Sequence, residues 1–305
     1  MQIKGGVRAG MKKLIILFTL IFSFIFSGSA FAAKKGDYSV KLLEYGGIQD
    51  YPKSGLVYGA HNQGTTYLPF FYNLIQNKDH NILFDIGYRN DEEDGQKDWT
   101  KLFGGSNIEA PVEVLKKVNL TPNDIDTVIL SHLHFDHAGN IDQFPEAQFY
   151  VQKEELDGWV SSLSLPDKVR EWAWLATDID HINDLMEVAA ENRLTLIEED
   201  NVEVVKGVKV HAAKGHTFGT QAVTVDTKKG TYALAQDVVY TYENATDYKP
   251  LGLGLDNLEQ VMSIHKINEL VGGNVDRIIP GHDIAVFEKY QTEQIGKNRI
   301  VTIVK

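Results

Sequence analysis

The stretch "SHLHFDHAGN", from Ser131 to Asn140, is a local concentration of metal-ligating side chains. It directly follows the apolar run "IDTVIL" (125–130), which predicts a short buried strand. Alternate side chains of an extended segment point to the same side, so the first two histidines emerge together, and the aspartate and third histidine follow where the chain turns. This spacing predicts one loop that presents ligands to two neighbouring metal ions, with a solvated histidine-rich loop as the alternative. The four candidate ligands are His132, His134, Asp136 and His137.

Three further residues could complete such a centre, and each lies at the end of a predicted strand. They are His216 in "KGHTFGTQ", Asp237 in "ALAQDVVY" and His282 in "RIIPGHD". Each one alone is more typical of a polar turn residue. Together with the cluster they make five histidines and two aspartates, enough for two ions of coordination number four or five with positions left for water. The chain has no cysteine, which excludes thiolate ligands, disulfides and a lipid-attachment cysteine.

Runs of apolar and aromatic residues predict strands in two groups, with helices between and after them. The first group covers 38–45, 66–76, 81–87 and 125–130. The second covers "VEVV", "VKVHAA", "QAVTVD" and "TYALAQD", with hairpin turns at "VKG" and "TKKG", and ends with 275–280. Helical spacing predicts helices at 110–120, 166–176, 181–194 and 255–271. This order indicates an α/β fold in which two packed sheets are covered by helices.

Residues 1–32 have the pattern of a secretory signal peptide. Lys12 and Lys13 precede the apolar run "LIILFTLIFSFIF", which leads to a small-x-small site ending at Ala32. The run is shorter than the roughly 20 residues that span a bilayer, with an uncleaved anchor as the alternative. Cleavage predicts a single domain at 33–305, periplasmic or secreted, without a stable membrane anchor. Because residues 1–32 hold four basic and no acidic residues, cleavage takes the formal net charge from −12 to −16, which disfavours a nucleic-acid partner.

The ordered ligand set resembles that of the metallo-β-lactamase-fold hydrolases over nearly the whole of residues 33–305. The resemblance implies a four-layer αββα sandwich with a dinuclear centre along one edge. It also implies how the ligands divide between the two ions. One ion is bound by His132, His134 and His216, and the other by Asp136, His137 and His282. Asp237 bridges the two ions. The resemblance also places Asp85, in "LFDIGYRN", where a carboxylate orients a ligand imidazole, with a turn aspartate at a strand end as the alternative. Two divalent ions per chain are expected, zinc by default, with iron, manganese or cobalt as alternatives.

Within that superfamily, the histidine loop and "QDVVYTYEN" resemble the N-acyl-homoserine lactone lactonases, which are quorum-quenching enzymes. In that family a tyrosine three residues after the bridging aspartate contacts the lactone, and here it is Tyr240, with a packed aromatic ring as the alternative. The resemblance implies attack by a hydroxide held between the ions, a hydrogen bond from Tyr240 to the carbonyl oxygen, and proton transfer from Asp136 to the leaving oxygen. Two features depart from the family. Thr220 and Gln221 follow "GHTFG" where many relatives carry other residues, and many of these lactonases have no export signal.

The implied partner is a small-molecule lactone or ester, and the oligomeric state stays open. The alternative within the fold is an exported hydrolase that acts on a different lactone, a thioester, an organophosphate or a β-lactam. A third interpretation, a non-catalytic metal-binding or scaffold protein, is disfavoured by the complete set of seven ligands.

The segment from about 151 to 196 holds three of the four tryptophans of the chain: Trp159, Trp172 and Trp174. One hypothesis is a helical cap insertion whose apolar side receives an acyl chain. The alternative is that the three rings anchor the helices to the sheet. "LGLGL" (251–255) is a candidate loop beside the pocket.

Overall fold

A computed structural model of the protein describes residues 36–89, 104–106 and 109–305. The predicted signal peptide at 1–32 lies outside the described residues, so it stays a prediction. Within the part of the chain that the structure describes, none of the helices is both long and apolar enough to cross a bilayer.

Strands and helices follow one another along the chain from residue 39 onward. The strands are β1 (Ser39–Pro52), β2 (Thr65–Gln76), β3 (Asn81–Phe84), β4 (Gly105–Ser106), β5 (Thr127–Ile129), β6 (Gln148–Gln152), β7 (Leu194–Ile197), β8 (Val202–Val205), β9 (Val208–Ala212), β10 (Gln221–Thr227), β11 (Gly230–Gln236), β12 (Ile278–Pro280), β13 (Gln291–Ile295) and β14 (Asn298–Val304). The α-helices are α1 (Lys53–Leu56), α2 (Pro111–Lys116), α3 (Phe135–Ala138), α4 (Lys153–Ser162), α5 (Asp167–Ala173), α6 (Ile179–Ala190), α7 (Tyr242–Asp247), α8 (Asn257–Leu270) and α9 (Val286–Lys289).

The strands form two sheets. The larger sheet has the order β13-β14-β1-β2-β3-β5-β6-β7, with β4 pairing to β1, and the smaller has the order β12-β11-β10-β9-β8. In the larger sheet β3, β5, β6 and β7 run parallel, and in the smaller sheet β11 and β12 run parallel. Parallel neighbours need a crossover connection, and α4 to α6 supply the one between β6 and β7.

Alternation of apolar side chains explains why the sheets stack. In β1, Leu42 points into the layer between the sheets, whereas Leu43 points to the helices on the outer face, and both are fully buried. In β10, Val223 belongs to the same inner layer, and Ala222 packs outward against Ile264 of α8. Each sheet therefore has two apolar faces, and both must be covered. The resulting helix–sheet–sheet–helix order is the four-layer αββα sandwich, so the predicted fold class is confirmed.

Most predicted elements are present, with shifted ends. The strand at 66–76 is confirmed as β2, and the two hairpin turns are confirmed between β8 and β9 and between β10 and β11. The strand predicted at 81–87 ends at Phe84, because Asp85 has a φ of 65° and leaves the extended region. The helix predicted at 110–120 is limited to α2, since Asn119 has a φ of 60° and turns the chain. The strands β6 and β7 and the C-terminal hairpin β13–β14 are additional elements.

Segments that leave the strands of both sheets meet at one edge of the sandwich. Asp85 follows β3, Ser131 comes shortly after β5, and Gln236 ends β11. Asp85 Oδ1 accepts from the Ser131 amide at 2.6 Å, and Asp85 Oδ2 accepts from Gln236 Nε2 at 2.6 Å. Because the carboxyl ends of parallel strands share an edge, side chains from distant parts of the chain converge there.

Candidate metal centre

The structure brings the seven predicted ligands together in two adjoining clusters, all of them buried. The ligand atoms within each cluster lie within 4.8 Å of one another. One cluster holds three histidines and an aspartate, and the other an aspartate and two histidines: His132, His134, His216 and Asp237; and Asp136, His137 and His282. This is the division implied by the resemblance.

Asp237 lies between the clusters and faces each with a different carboxylate oxygen. Its Oδ2 is 3.1 Å from His216 Nε2 and 3.5 Å from His132 Nε2. Its Oδ1 is 3.0 Å from His282 Nε2 and 3.3 Å from His137 Nε2. A carboxylate in this position can contribute one oxygen to each of two ions, which is the geometry of a bridging ligand.

The spacing of the donor atoms fits small divalent cations. Four donors around a tetrahedral zinc ion at about 2.0–2.1 Å lie roughly 3.3 Å apart. In the first cluster His216 Nε2 is 3.0 Å from His134 Nδ1, and in the second His137 Nε2 is 3.3 Å from Asp136 Oδ2. His132 Nε2 and His137 Nε2 are buried and lack a well-formed hydrogen bond to any described residue. Buried polar atoms are normally satisfied, and cations bound between these donors would satisfy both.

The second ring nitrogen of four histidines is held by a neighbouring group, which turns the other nitrogen toward the centre. His282 Nδ1 lies 2.8 Å from the Pro69 carbonyl oxygen, and His216 Nδ1 lies 3.0 Å from that of Leu253. His132 Nδ1 lies 2.9 Å from the hydroxyl of its neighbour Ser131. For the fourth histidine the partner is a carboxylate.

Asp85 is that carboxylate, and the resemblance implies an orienting role for it. It is fully buried, and its Oδ2 lies 2.7 Å from His137 Nδ1. The Ser131 amide and hydroxyl and the Gln236 amide also donate to it. Both Asp85 and Gln236 have positive φ, 65° and 42°, a conformation that costs non-glycine residues about 1–3 kcal/mol each. The two residues lie on either side of the centre. The tertiary structure therefore holds them in a backbone conformation that these residue types disfavour.

The electrostatics of the centre favour bound cations. Burial, followed by neighbouring imidazoles, lowers the pKa of His132 well below its usual range, so the ring is the neutral form that a metal requires. Burial opposes the charged form of Asp237, but His137 and His282 hold its pKa well below the usual value. Burial also opposes charge on His137, yet Asp136 and Asp237 raise its pKa well above the usual value. The buried carboxylates thus create a region of negative charge, and a bound cation would neutralise this charge.

Tyr240 lies beside the centre, with its ring edge-on to His282 at 4.9 Å and to His216 at 5.6 Å between ring centroids. Burial, then the charge of Asp237, raises the pKa of Tyr240 well above its usual range, so the hydroxyl remains a hydrogen-bond donor. Tyr51, at the end of β1, lines the same cavity, and burial raises its pKa as well. The sequence gives no local signal for Tyr51, because it stands alone before a proline.

An open cavity leads to the centre, and its walls are mostly apolar. At its base lie His134, Asp136, Asp237 and His282, and its walls include Trp159, Trp172, Leu175, Leu253 and Leu255. The first two tryptophans thus belong to the pocket. Trp174 contacts another helix, since it packs on Trp159 and donates to the Ser162 hydroxyl at 2.8 Å, both in α4. The ends of the 151–196 segment lie in β6 and β7, so its helices form a crossover between sheet strands as well as a pocket wall.

Comparison with known proteins agrees with this geometry. Residues 71–282 match the model of the metallo-beta-lactamase superfamily, and the chain belongs to that superfamily. It is a metal-dependent hydrolase of that fold, and its homologues include N-acyl homoserine lactonases. The N-acyl homoserine lactonase of Bacillus thuringiensis is 30% identical over 229 residues, which cover 71% of this chain and 82% of that protein.

Two solved structures are informative. An N-acyl homoserine lactone hydrolase with the product N-hexanoyl-L-homoserine bound at its catalytic metal centre is 25% identical, with a TM-score of 0.66 and coverage of 85% of this chain and 98% of that chain. A dizinc quorum-quenching lactonase, in complex with a product, shares the fold with a TM-score of 0.63 at 17% identity and coverage of 89% of this chain and 96% of that chain.

The central position of Asp237 predicts that Asp237→Asn disturbs both clusters. The amide offers one acceptor oxygen and turns an NH₂ group toward the other cluster, so the dialysed variant should retain one divalent ion per chain or fewer, where two are expected for the wild type. Elemental analysis of purified protein measures this. The control is His265→Ala, whose half-exposed ring lies on α8 away from the centre. Retention of two ions in Asp237→Asn would contradict the bridging role.

Proposed function

We propose that the protein is an exported, dinuclear metal-dependent lactonase that opens the ring of N-acyl-homoserine lactones. The observation that carries this proposal is the combination, in one cavity, of the Asp237-linked clusters, the Tyr240 ring beside them and apolar walls above. A substrate for this cavity needs a small polar reactive group joined to an apolar tail, which describes an acylated lactone. The homologous lactonases and the product bound at the metal centre of the solved hydrolase support the same substrate class.

The residues of the chain have separable tasks in this reaction. Held by the seven ligands of the two clusters, two divalent ions, with zinc the proposed metal, would supply Lewis-acid polarisation of the carbonyl and a lowered pKa for water. Tyr240 donates a hydrogen bond to the carbonyl oxygen as negative charge develops there. Asp136 lines the cavity and faces His137 with Oδ2, which leaves Oδ1 to take a proton from the attacking water and pass it to the ring oxygen when the ester bond breaks. Water adds to the carbonyl carbon, and the products are a carboxylate, an alcohol and one released proton.

Export is part of the proposal and rests on the N-terminal sequence. A lysine pair, an apolar run too short for a membrane span and a small-x-small site precede residue 33. Location outside the cytoplasm gives the enzyme access to diffusible lactones before they enter a cell. Mass determination of the protein recovered from periplasm and medium tests this, and an intact N-terminus on all recovered protein would contradict it.

The position of Tyr240 predicts a loss of turnover in Tyr240→Phe with the metal centre intact. Removal of one donor to a developing oxyanion costs about 10²–10³-fold in kcat. We expect such a fall in proton release during hydrolysis of an acyl-homoserine lactone by protein 33–305 that still holds two ions. Tyr248→Phe, an exposed tyrosine, serves as the control. An undiminished rate in Tyr240→Phe would refute the role of Tyr240, and a two-metal protein that opens no lactone would refute the substrate.

The exposed ring of Trp172 at the cavity mouth predicts a dependence on acyl-chain length. Each methylene removed from water contributes about 0.8 kcal/mol. A few methylenes covered by this ring therefore correspond to roughly a tenfold difference in binding affinity. For Trp172→Ala, KM should rise about tenfold for a ten-carbon acyl chain and remain unchanged for a four-carbon chain. Tyr58→Ala, an exposed aromatic outside the cavity lining, is the control. An equal change for both chain lengths would show that the tail does not lie against Trp172.

A further inference from the structure

Glu155 of α4 is fully buried and has no part in the reaction described above. Its carboxylate accepts four hydrogen bonds, two on each oxygen. The Leu133 amide and the Trp159 indole donate to Oε1 at 2.9 and 2.6 Å. The Thr217 hydroxyl and the Gly219 amide donate to Oε2, each at 2.7 Å. A buried carboxylate is costly unless it is fully hydrogen-bonded, and this one is.

The partners of Glu155 connect it to one of the two clusters. Leu133 lies between the ligands His132 and His134, and Thr217 directly follows the ligand His216. Among the described residues, Glu155 accepts hydrogen bonds from these two loops and from its own helix, and from none of Asp136, His137 and His282. A single side chain thus joins the two loops that provide all three histidines of the first cluster.

Close packing keeps this helix against the histidine loops. A Cβ atom on Gly219 would lie 2.4 Å from the Glu155 amide nitrogen, and one on Gly158 would lie 2.2 Å from the ring of Phe218. Both distances are too short for real side chains, so glycine at each position allows the approach. The four hydrogen bonds therefore span a fixed gap between α4 and the loops.

We propose that Glu155 is a positioning residue for the metal position formed by His132, His134 and His216. It fixes the separation of the two loops. The second position takes Asp136 and His137 from only one of these loops and His282 from elsewhere, so the separation of the loops does not set its geometry. Loss of such an outer partner lowers metal affinity by about 10–100-fold. The inference rests on the proposed two-metal centre and is independent of the lactone substrate.

Glu155→Gln is the direct test, because an amide has nearly the same shape but offers an acceptor to only one side. In either orientation its NH₂ group faces two donors. Metal-free protein 33–305 is titrated with Co²⁺, and binding is followed by visible absorption. We expect one ion bound with wild-type affinity and the other bound 10–100-fold more weakly. With one equivalent bound, the spectrum should match that of His216→Ala and differ from that of His282→Ala.

Glu154→Gln is the matched control, since Glu154 is the preceding residue and pairs with Lys214 on the surface. It should bind both ions as the wild type does. Wild-type affinity for both ions in Glu155→Gln, or equal weakening of both in a folded protein, would overturn the proposal. If Glu155→Gln does not fold, Thr217→Val removes only one of the four donors and should weaken the same ion. Unchanged affinities in Thr217→Val would then overturn it. The titration needs no lactone, so its result stands whatever substrate the enzyme uses.

Discussion

The carboxylate of Asp237 imposes the tightest constraint on this fold, because its two oxygens must meet two groups of histidines at once. One oxygen lies 3.1 Å from His216 Nε2 and the other 3.0 Å from His282 Nε2. Asp237 and His282 follow strands of the smaller sheet, whereas His132 follows a strand of the larger one. The stacking of the two sheets therefore sets the geometry of the centre. Because the side chains of such a site must be placed to within about 0.5 Å, the packing of the inner apolar layer affects the function of the centre.

Backbone strain and buried charge are concentrated around the same point. Asp85 and Gln236 adopt positive φ next to the ligand loops, and the hydrogen bond between their side chains links the two sheets. Sandwich packing stabilises this arrangement, while the buried carboxylates leave negative charge that cations neutralise. Stability and metal binding are thus coupled, since a ligand that binds only the folded state adds to its stability.

The seven residues of the two clusters could be selected from the sequence because each has a local signal. Spacing within the histidine loop and placement at strand ends identify all seven, whereas Asp85 is selected only through the resemblance to the family. Tyr51 and Glu155 have no such signal. Glu155 resembles any other charged residue of an amphipathic helix, and only the tertiary packing of α4 buries it. The hairpin β13–β14 is missed for a related reason, because the exposed and polar side chains of β13 obscure the strand period. What depends on contacts between distant segments is not readable from local pattern.

Anomalous diffraction from crystals of the zinc-loaded protein, collected at the zinc edge, is the decisive test of a metal centre linked by Asp237. We expect two peaks about 3.5–4 Å apart, on either side of the Asp237 carboxylate. One of them should be bounded by His132, His134 and His216, and the other by Asp136, His137 and His282. A single peak, or two peaks that do not share Asp237, would show that this carboxylate does not join two metal positions.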